Sequence, residues 1–186
     1  MDLAVITVSY NTRDLLADCL DSALAGLEQS GLDGKIWVVD NASADGSAEM
    51  VRQRFPCVVL VAHDENLGFA AGNNLALKAM GFGRRVRPRH VLFLNPDTHV
   101  VGDALGSLVR AMDDRASAGA VGARLVHGDG SFQHSAFAFP GLAQIFFDFF
   151  PLHHRLLDSQ LNGRYPRARY EAGRPFPVDH PLGAAL

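Results

Sequence analysis

Val91-Leu92-Phe93-Leu94-Asn95-Pro96-Asp97-Thr98 reads as a strand that stops at a proline. Four apolar residues in a row suit a strand buried on both faces, as in a parallel sheet. Proline has no N–H to give a ladder, so the strand ends before Pro96. Asp97 then stands just past the carboxyl end of a buried strand, the edge at which open α/β sheets bind ligands. A carboxylate there can hold a hard divalent cation, and the cation can hold a diphosphate. The same four residues also suit an ordinary turn, so the neighbouring segments have to decide.

Upstream, Leu3-Ala-Val-Ile-Thr-Val-Ser9 is a first buried strand. After Tyr10-Asn11-Thr12, Asn11 with Asp14 predicts a helix N-cap with an acidic third position. Leu16, Leu20, Ala23, Leu24 and Leu27 then fall on one face of an amphipathic helix. Ile36-Trp-Val-Val-Asp40 is a second buried strand that also ends in a carboxylate. After the loop from Asn41 to Gly46, Ala48, Val51 and Phe55 give a short helix its buried face. Pro56 stops it, and Cys57 to Ala62 form a third strand. Strands alternating with helices at this spacing predict βαβ units and a parallel sheet. Right-handed crossovers put Asp40 and Asp97 on the same edge of it, expected at the ends of two neighbouring strands. Two acidic strand ends facing one cleft weigh against two accidental turns.

Glu65-Asn66-Leu67-Gly68-Phe69-Ala70-Ala71-Gly72-Asn73-Asn74 runs into a helix. Small residues at a helix start let a phosphate approach closely, or let the helix pack tightly on the sheet. The glycine spacing is not that of a dinucleotide fingerprint. Asn73 and Asn74 are poor helix formers in mid-segment, which points to a polar task for at least one of them. Arg84-Arg85-Val86-Arg87-Pro88-Arg89 reads as a solvated basic loop, with a contact to anionic lipid as the weaker alternative. A helix opens at Gly102-Asp103 with Leu105, Leu108, Val109 and Met112 inward. Ala118 to Val126 is expected to be a strand, His127 to Gly130 a turn, and Ser131 to His134 the return of a hairpin.

Beyond Pro140 the texture changes. Gln144-Ile-Phe-Phe-Asp-Phe-Phe-Pro151 is too short to span a bilayer. It suits a helix buried against a neighbour, a homodimer contact, or an interfacial membrane segment edged by Arg155 and histidines. Arg164 to Pro177 is expected to be a loop, and Val178 to Leu186 a new ordered element. Across the 186 residues, 48% are hydrophobic, 20% are charged, and the net charge is -3. No basic surface suggests nucleic acid. Cys19 and Cys57 sit in apolar contexts that suit reduced core thiols and a cytoplasmic setting. His153-His154 lacks partner ligands for zinc, and neither a signal peptide nor a membrane span is legible.

Four segments, in this order and spacing, closely resemble family-2 glycosyltransferases. They are Val8-Ser9-Tyr10-Asn11, Val38-Val39-Asp40-Asn41-Ala42-Ser43, Glu65-Asn66-x-Gly68-x-Ala70-x-Gly72-x-Asn74 and Leu94-Asn95-Pro96-Asp97-Thr98. The likeness is greatest to bacterial rhamnosyltransferase-type members of cell-wall or polysaccharide synthesis. It covers residues 2 to 135. The resemblance implies an α/β fold of GT-A (Rossmann-like) type, a mostly parallel sheet flanked by helices. Residues 1–135 would be the nucleotide-sugar-binding domain, and residues 136–186 an incomplete start of the acceptor side. The implied reaction is metal-assisted and inverting. It moves a sugar from a dTDP- or UDP-sugar, such as dTDP-rhamnose, to a glycan or lipid-linked acceptor, in the cytoplasm or at the inner face of the membrane.

By the same resemblance, Asp40 would accept the N3–H of uracil or thymine, and Ser9, Tyr10 and Asn11 would line base and ribose. Asn66, Gly68 and Asn74 would form the nucleotide-sugar wall. Asn95 and Asp97 take the place of the family's Asp-x-Asp motif, with Asp97 as ligand of Mg2+ or Mn2+. Asn95 departs from the two-carboxylate form, so one charge is lost and metal affinity falls. The family's catalytic base lies in an acidic motif downstream of a segment resembling Val178 to Leu186, so it is expected beyond Leu186. Where relatives show Trp and then Ser-Gly-Ala, this chain has His180-Pro181-Leu182-Gly183-Ala184. A fragment of a longer enzyme is the expectation, with a non-catalytic nucleotide-sugar-binding module as the alternative. A nucleotidyltransferase would need a basic Gly-rich loop after the first strand, which Ser9 to Thr12 is not.

Overall fold

The computed structural model describes residues 1–83, 88–150 and 162–186 (at 143, 144, 147 and 148 the backbone only). Arg84, Arg85 and Arg87 of the basic loop, and His153, His154 and Arg155, lie outside the described residues. The chain divides into two compact units. One is Met1–Ser117 with Gly183–Leu186, the other Ala118–Leu182.

The first unit alternates strand and helix throughout. Its elements are β1 (Leu3–Ser9), α1 (Arg13–Ser30), β2 (Gly34–Asn41), α2 (Ser47–Arg54), β3 (Val59–His63), α3 (Gly68–Met80), β4 (His90–Phe93) and α4 (Ala104–Asp113). The strands form one parallel sheet in the order β3-β2-β1-β4. β1 is central and buried along its whole length. Its alternate residues Ala4, Ile6 and Val8 pack with Trp37, Val39, Ala76 and Met80 under α3, as the period of two in a strand requires. A short antiparallel rim completes the β4 edge. Phe93 and Leu186 exchange N–H···O bonds of 2.7 and 3.1 Å, and the Asn95 N–H donates to Ala184 O at 2.9 Å.

α3 lies close on the sheet because Gly72 has no side chain. A Cβ there would come within 2.8 Å of Val8 Cγ1, and the branched Val8 has little rotamer freedom to yield. Gly72→Val should therefore destabilise the fold by about 1–3 kcal/mol by overpacking. The midpoint of urea unfolding measures this.

Four expectations are corrected here. Only Leu92 and Leu94 of the Asn-Pro-Asp strand are fully buried, while Val91 and Phe93 are half-buried, because β4 is short and next to the rim. Asn11 does not cap α1. Thr12 takes that position and makes no side-chain cap bond, while Asn11 has φ 53° and bonds elsewhere. Cys57 is exposed, since it precedes β3, the partly covered edge strand. Asp40 and Asp97 do not end neighbouring strands, because β1 runs between β2 and β4.

The second unit holds short elements. β5 (Leu125–Val126) pairs antiparallel with β6 (Phe132–Gln133), and β7 (Ala136–Phe137) with β8 (His180–Pro181). The expected hairpin is present, with the His127 N–H on Ser131 O at 2.9 Å. The expected strand over 118–126 is reduced to its last two residues. Gly119 and Gly122 weaken extended structure there, and 118–124 has no ladder partner among the described residues. The segment after Arg164 is not all loop. It contains α6 (Arg167–Glu171), pinned by buried Tyr170, whose OH donates to Ala136 O at 3.2 Å. α5 (Leu142–Phe149) turns Leu142, Ile145, Phe146 and Phe149 to solvent. No helix among the described residues is long and apolar enough to cross a membrane.

Candidate functional site

The carboxyl ends of β1 and β2 meet the start of α3 along one edge of the sheet, and the end of β4 lies on that same edge. Asp40 is the penultimate residue of β2, paired in register with Ser9 on one side and Ala62 on the other. It is only 3% exposed. Its Oδ2 accepts the Ser43 N–H at 3.1 Å. Its Oδ1 is buried with no hydrogen-bond partner, and among the described residues no cation pairs with the carboxylate. Leaving a buried polar atom unsatisfied costs about 1–3 kcal/mol, and more for a charged group. Such an atom at the carboxyl end of a parallel strand points to a missing donor.

The loops that flank Asp40 are cross-braced. The Asn11 N–H donates to Ser43 Oγ at 3.0 Å, and Asn11 Oδ1 accepts the Ala44 N–H at 2.8 Å. The Arg13 N–H donates to Asp45 Oδ2 at 2.9 Å. Burial pushes the Asp45 carboxyl up, but hydrogen bonds from Ser47 and the Arg13 N–H prevail and hold it below the usual carboxylate range. Among the described residues, Asn11 (φ 53°) and Ala42 (φ 64°) are the non-glycines with left-handed backbone. Residues held so cost of order 1–3 kcal/mol each and persist where surrounding bonds over-determine them. Asn11→Ala removes the Ala44 acceptor and keeps the strain. It should destabilise the fold by about 1–2 kcal/mol, read as a lowered urea midpoint.

Asn41 is the residue that sequence reasoning missed. It is buried, its Oδ1 accepts the Leu67 N–H at 3.2 Å, and its Nδ2 donates to Gly68 O at 3.3 Å. It ties the end of β2 to the entry of α3. The only signal was an amide directly after the strand-ending Asp40. Asn66 Oδ1 accepts the Gly68 N–H at 2.9 Å, and Gly68 has φ +76°, a left-handed value that favours glycine. Of the paired asparagines, Asn73 is buried. Its Nδ2 donates to Phe69 O at 3.0 Å and its Oδ1 is unpartnered. Asn74 is exposed. Ser9 is buried and bonds Thr12 Oγ1 at 2.9 Å, and Tyr10 is half-exposed.

The turn after β4 is held from below by α1. Asn95 O accepts Thr98 Oγ1 at 2.6 Å and Cys19 Sγ at 3.5 Å. Ser22 Oγ accepts the Val100 N–H at 3.0 Å while donating to Cys19 O at 2.9 Å. Asp97 itself is exposed. Burial drives the Cys19 thiol up from 9.0 to about 11; a bond with Thr98 opposes this and the nearby Asp97 charge adds to it. The folded state thus holds this proton more tightly than the unfolded state. Stability from Cys19 is complete below pH 9.0 and is lost as pH rises towards 11. At about 1.4 kcal/mol per unit, the loss is roughly 2–3 kcal/mol. Urea unfolding at pH 8 and above pH 10 (buffers chosen around these values) should show it, and Cys19→Ala should lack that part of the decline.

Among the described residues, no group of three or more His, Cys, Asp or Glu forms a ready-made metal site. The edge therefore offers one exposed carboxylate at Asp97, a buried half-free carboxylate at Asp40, and a braced loop wall between them.

A mostly parallel sheet flanked by helices, with acidic residues at the carboxyl ends of its strands, defines the GT-A type of fold. The model of glycosyl transferase family 2 matches residues 4–167, and the chain belongs to that family. TuaG of Bacillus subtilis (strain 168), named for teichuronic acid biosynthesis, is 32% identical over 119 residues, covering 62% of this chain and 44% of that protein. The N-acetylglucosaminyl-diphospho-decaprenol L-rhamnosyltransferase of Mycobacterium tuberculosis (strain ATCC 25618 / H37Rv) is 28% identical over 145 residues, covering 75% of this chain and 46% of that one. The crystal structure of S. aureus TarS 1-349 superposes with a TM-score of 0.51 at 22% identity, over 62% of this chain and 33% of that chain. That last likeness is one of fold. The chain spans less than half the length of these relatives.

Proposed function

We propose that this chain is the donor-binding part of an enzyme that moves a sugar from a uracil- or thymine-nucleotide diphosphate sugar to a glycan or lipid-linked acceptor, with inversion. The observation that carries the reading is the buried, unpartnered Oδ1 of Asp40. Uracil and thymine present an N3–H donor, which that oxygen accepts; cytosine presents a bare N3 and would leave it unsatisfied. Ser9, Tyr10 and Asn11 line the base and ribose through their backbone and exposed faces. Gly68, fixed by Asn41, Asn66, whose side chain accepts the Gly68 N–H, and Asn74 beyond them form the sugar-nucleotide wall. The name of the mycobacterial relative, a rhamnosyltransferase acting on a diphospho-decaprenol, supports a lipid-linked acceptor and a rhamnose-carrying donor.

A divalent cation, Mg2+ or Mn2+, fits the donor set. Such ions take one or two carboxylates and complete their shell with substrate phosphates and water, which matches a single exposed Asp97. When bound, it supplies Lewis-acid neutralisation of the departing diphosphate. Asp97 would hold the ion, and the bonds from Cys19, Thr98 and Ser22 fix the turn that would present it. Inversion requires a base at the acceptor hydroxyl, and no residue among these 186 is given that role. Titration calorimetry with UDP and dTDP tests the reading. Binding that tightens with Mn2+ is expected, and absence of binding with both nucleotides would overturn it.

A further inference from the structure

We propose that the second unit carries an anion subsite for a phosphate group of the acceptor, where residues 163–169 pass Ala138. The link to an acceptor rests on the transferase reading above; the anion chemistry stands on the pocket itself. A cavity of about 180 Å3 is lined by Ala138, Gly163, Arg164, Tyr165, Pro166 and Arg169. The Arg169 guanidinium lies over the Tyr165 ring at 5.6 Å and the Phe176 ring at 5.8 Å. Those two rings meet edge to face at 5.7 Å, so they form one rigid support. Arginine stacked on aromatic faces keeps its N–H edges for a ligand.

Its neighbour shows the contrast. Arg167 pairs with Glu171 at 2.6 Å, whereas no described carboxylate pairs with Arg169. Tyr165 Oη accepts the Asp179 N–H at 3.1 Å, which leaves its own O–H to donate. Arg164 adds a second guanidinium, lying over Phe137 at 5.7 Å. The backbone is fixed as well, because Gly163 O accepts the Ala138 N–H at 2.8 Å. An oriented arginine fork with no counter-ion among the described residues and a phenol donor in one small pocket match the oxygens of a phosphate better than a neutral ligand. The donor diphosphate is assigned to the Asp97 edge, so a phosphate here belongs to the other reactant.

The test titrates the 186-residue chain with inorganic pyrophosphate in EDTA, so that no divalent ion assists the Asp97 edge. A second arm uses geranyl diphosphate, and a third uses dTDP with Mn2+. Pyrophosphate should bind, Arg169→Gln should weaken it at least tenfold, and Tyr165→Phe, which keeps the ring beneath Arg169, should weaken it several-fold. Neither variant should change dTDP binding in the first unit, and the near-UV circular dichroism of each should match the parent, which shows that the second unit still folds. Tighter binding of geranyl diphosphate marks the source as a lipid-linked acceptor; equal binding marks a phosphorylated glycan. No pyrophosphate binding, or binding insensitive to both variants, overturns the subsite. Loss of dTDP binding in the parent chain, with pyrophosphate still dependent on Arg169, would overturn the donor reading and leave the anion site standing.

Discussion

Asp40→Asn should weaken UDP and dTDP binding by roughly 10- to 100-fold while leaving the fold as stable as before or more so. Asp40 Oδ2 already accepts the Ser43 N–H, so the amide group of an asparagine has two places to go. Set against Ser43, it meets a donor with a donor. Set towards the ligand, it meets the N3–H of the base with a donor. Either clash removes about 1–3 kcal/mol, which is the stated loss of affinity. The stability half follows from the same oxygen. A buried carboxylate with one unsatisfied atom is a cost in the free protein, and a neutral amide relieves it. Calorimetry and a melting curve on one preparation check both halves. A variant that binds UDP normally contradicts the role; one that simply melts earlier would mean that Asp40 is structural.

Asp97→Ala should abolish the gain in nucleotide affinity on adding Mn2+, while metal-free binding stays nearly unchanged. Asp97 is exposed and lies on a turn whose bonds come from Cys19, Ser22 and Thr98. Removing its carboxylate therefore takes away a cation ligand without undoing the turn. A metal site that uses one protein carboxylate has no substitute when that group goes. The two substitutions dissociate: the Asp40 change acts with or without metal, and the Asp97 change acts only with it. If titrations with and without Mn2+ gave the same curve for the parent chain, the metal assignment would fail.

Much of this fold is legible in the chain because its central elements are locally consistent. β1 and β2 are built on apolar runs (Leu3–Ile6 and Ile36–Val39), α1 has a clean buried face, and a parallel sheet follows from their alternation. The edges are less legible. Nothing near Asn11 shows that its amide bonds Ala44, 33 positions away in sequence, so a local N-cap was the natural expectation. Cys57 looks apolar by its neighbours and is exposed because β3 is an edge strand. The segment 118–124 has strand-like residues but no partner strand, which only the three-dimensional arrangement reveals. α6 is short and rich in arginine, and its place is set by the burial of Tyr170 rather than by helix periodicity. At the candidate site, Asp40 and Asp97 stand out as acids that end apolar runs. The bracing by Asn41 does not stand out, since an amide in a loop looks like any turn residue.

The most direct measurement compares UDP, dTDP and CDP by calorimetry on this chain in the presence of Mn2+. UDP and dTDP should bind at least about tenfold more tightly than CDP, the discrimination a single buried donor–acceptor match gives. Equal affinity for CDP, or no binding of any of the three, would contradict a pyrimidine site at the ends of β1, β2 and β4.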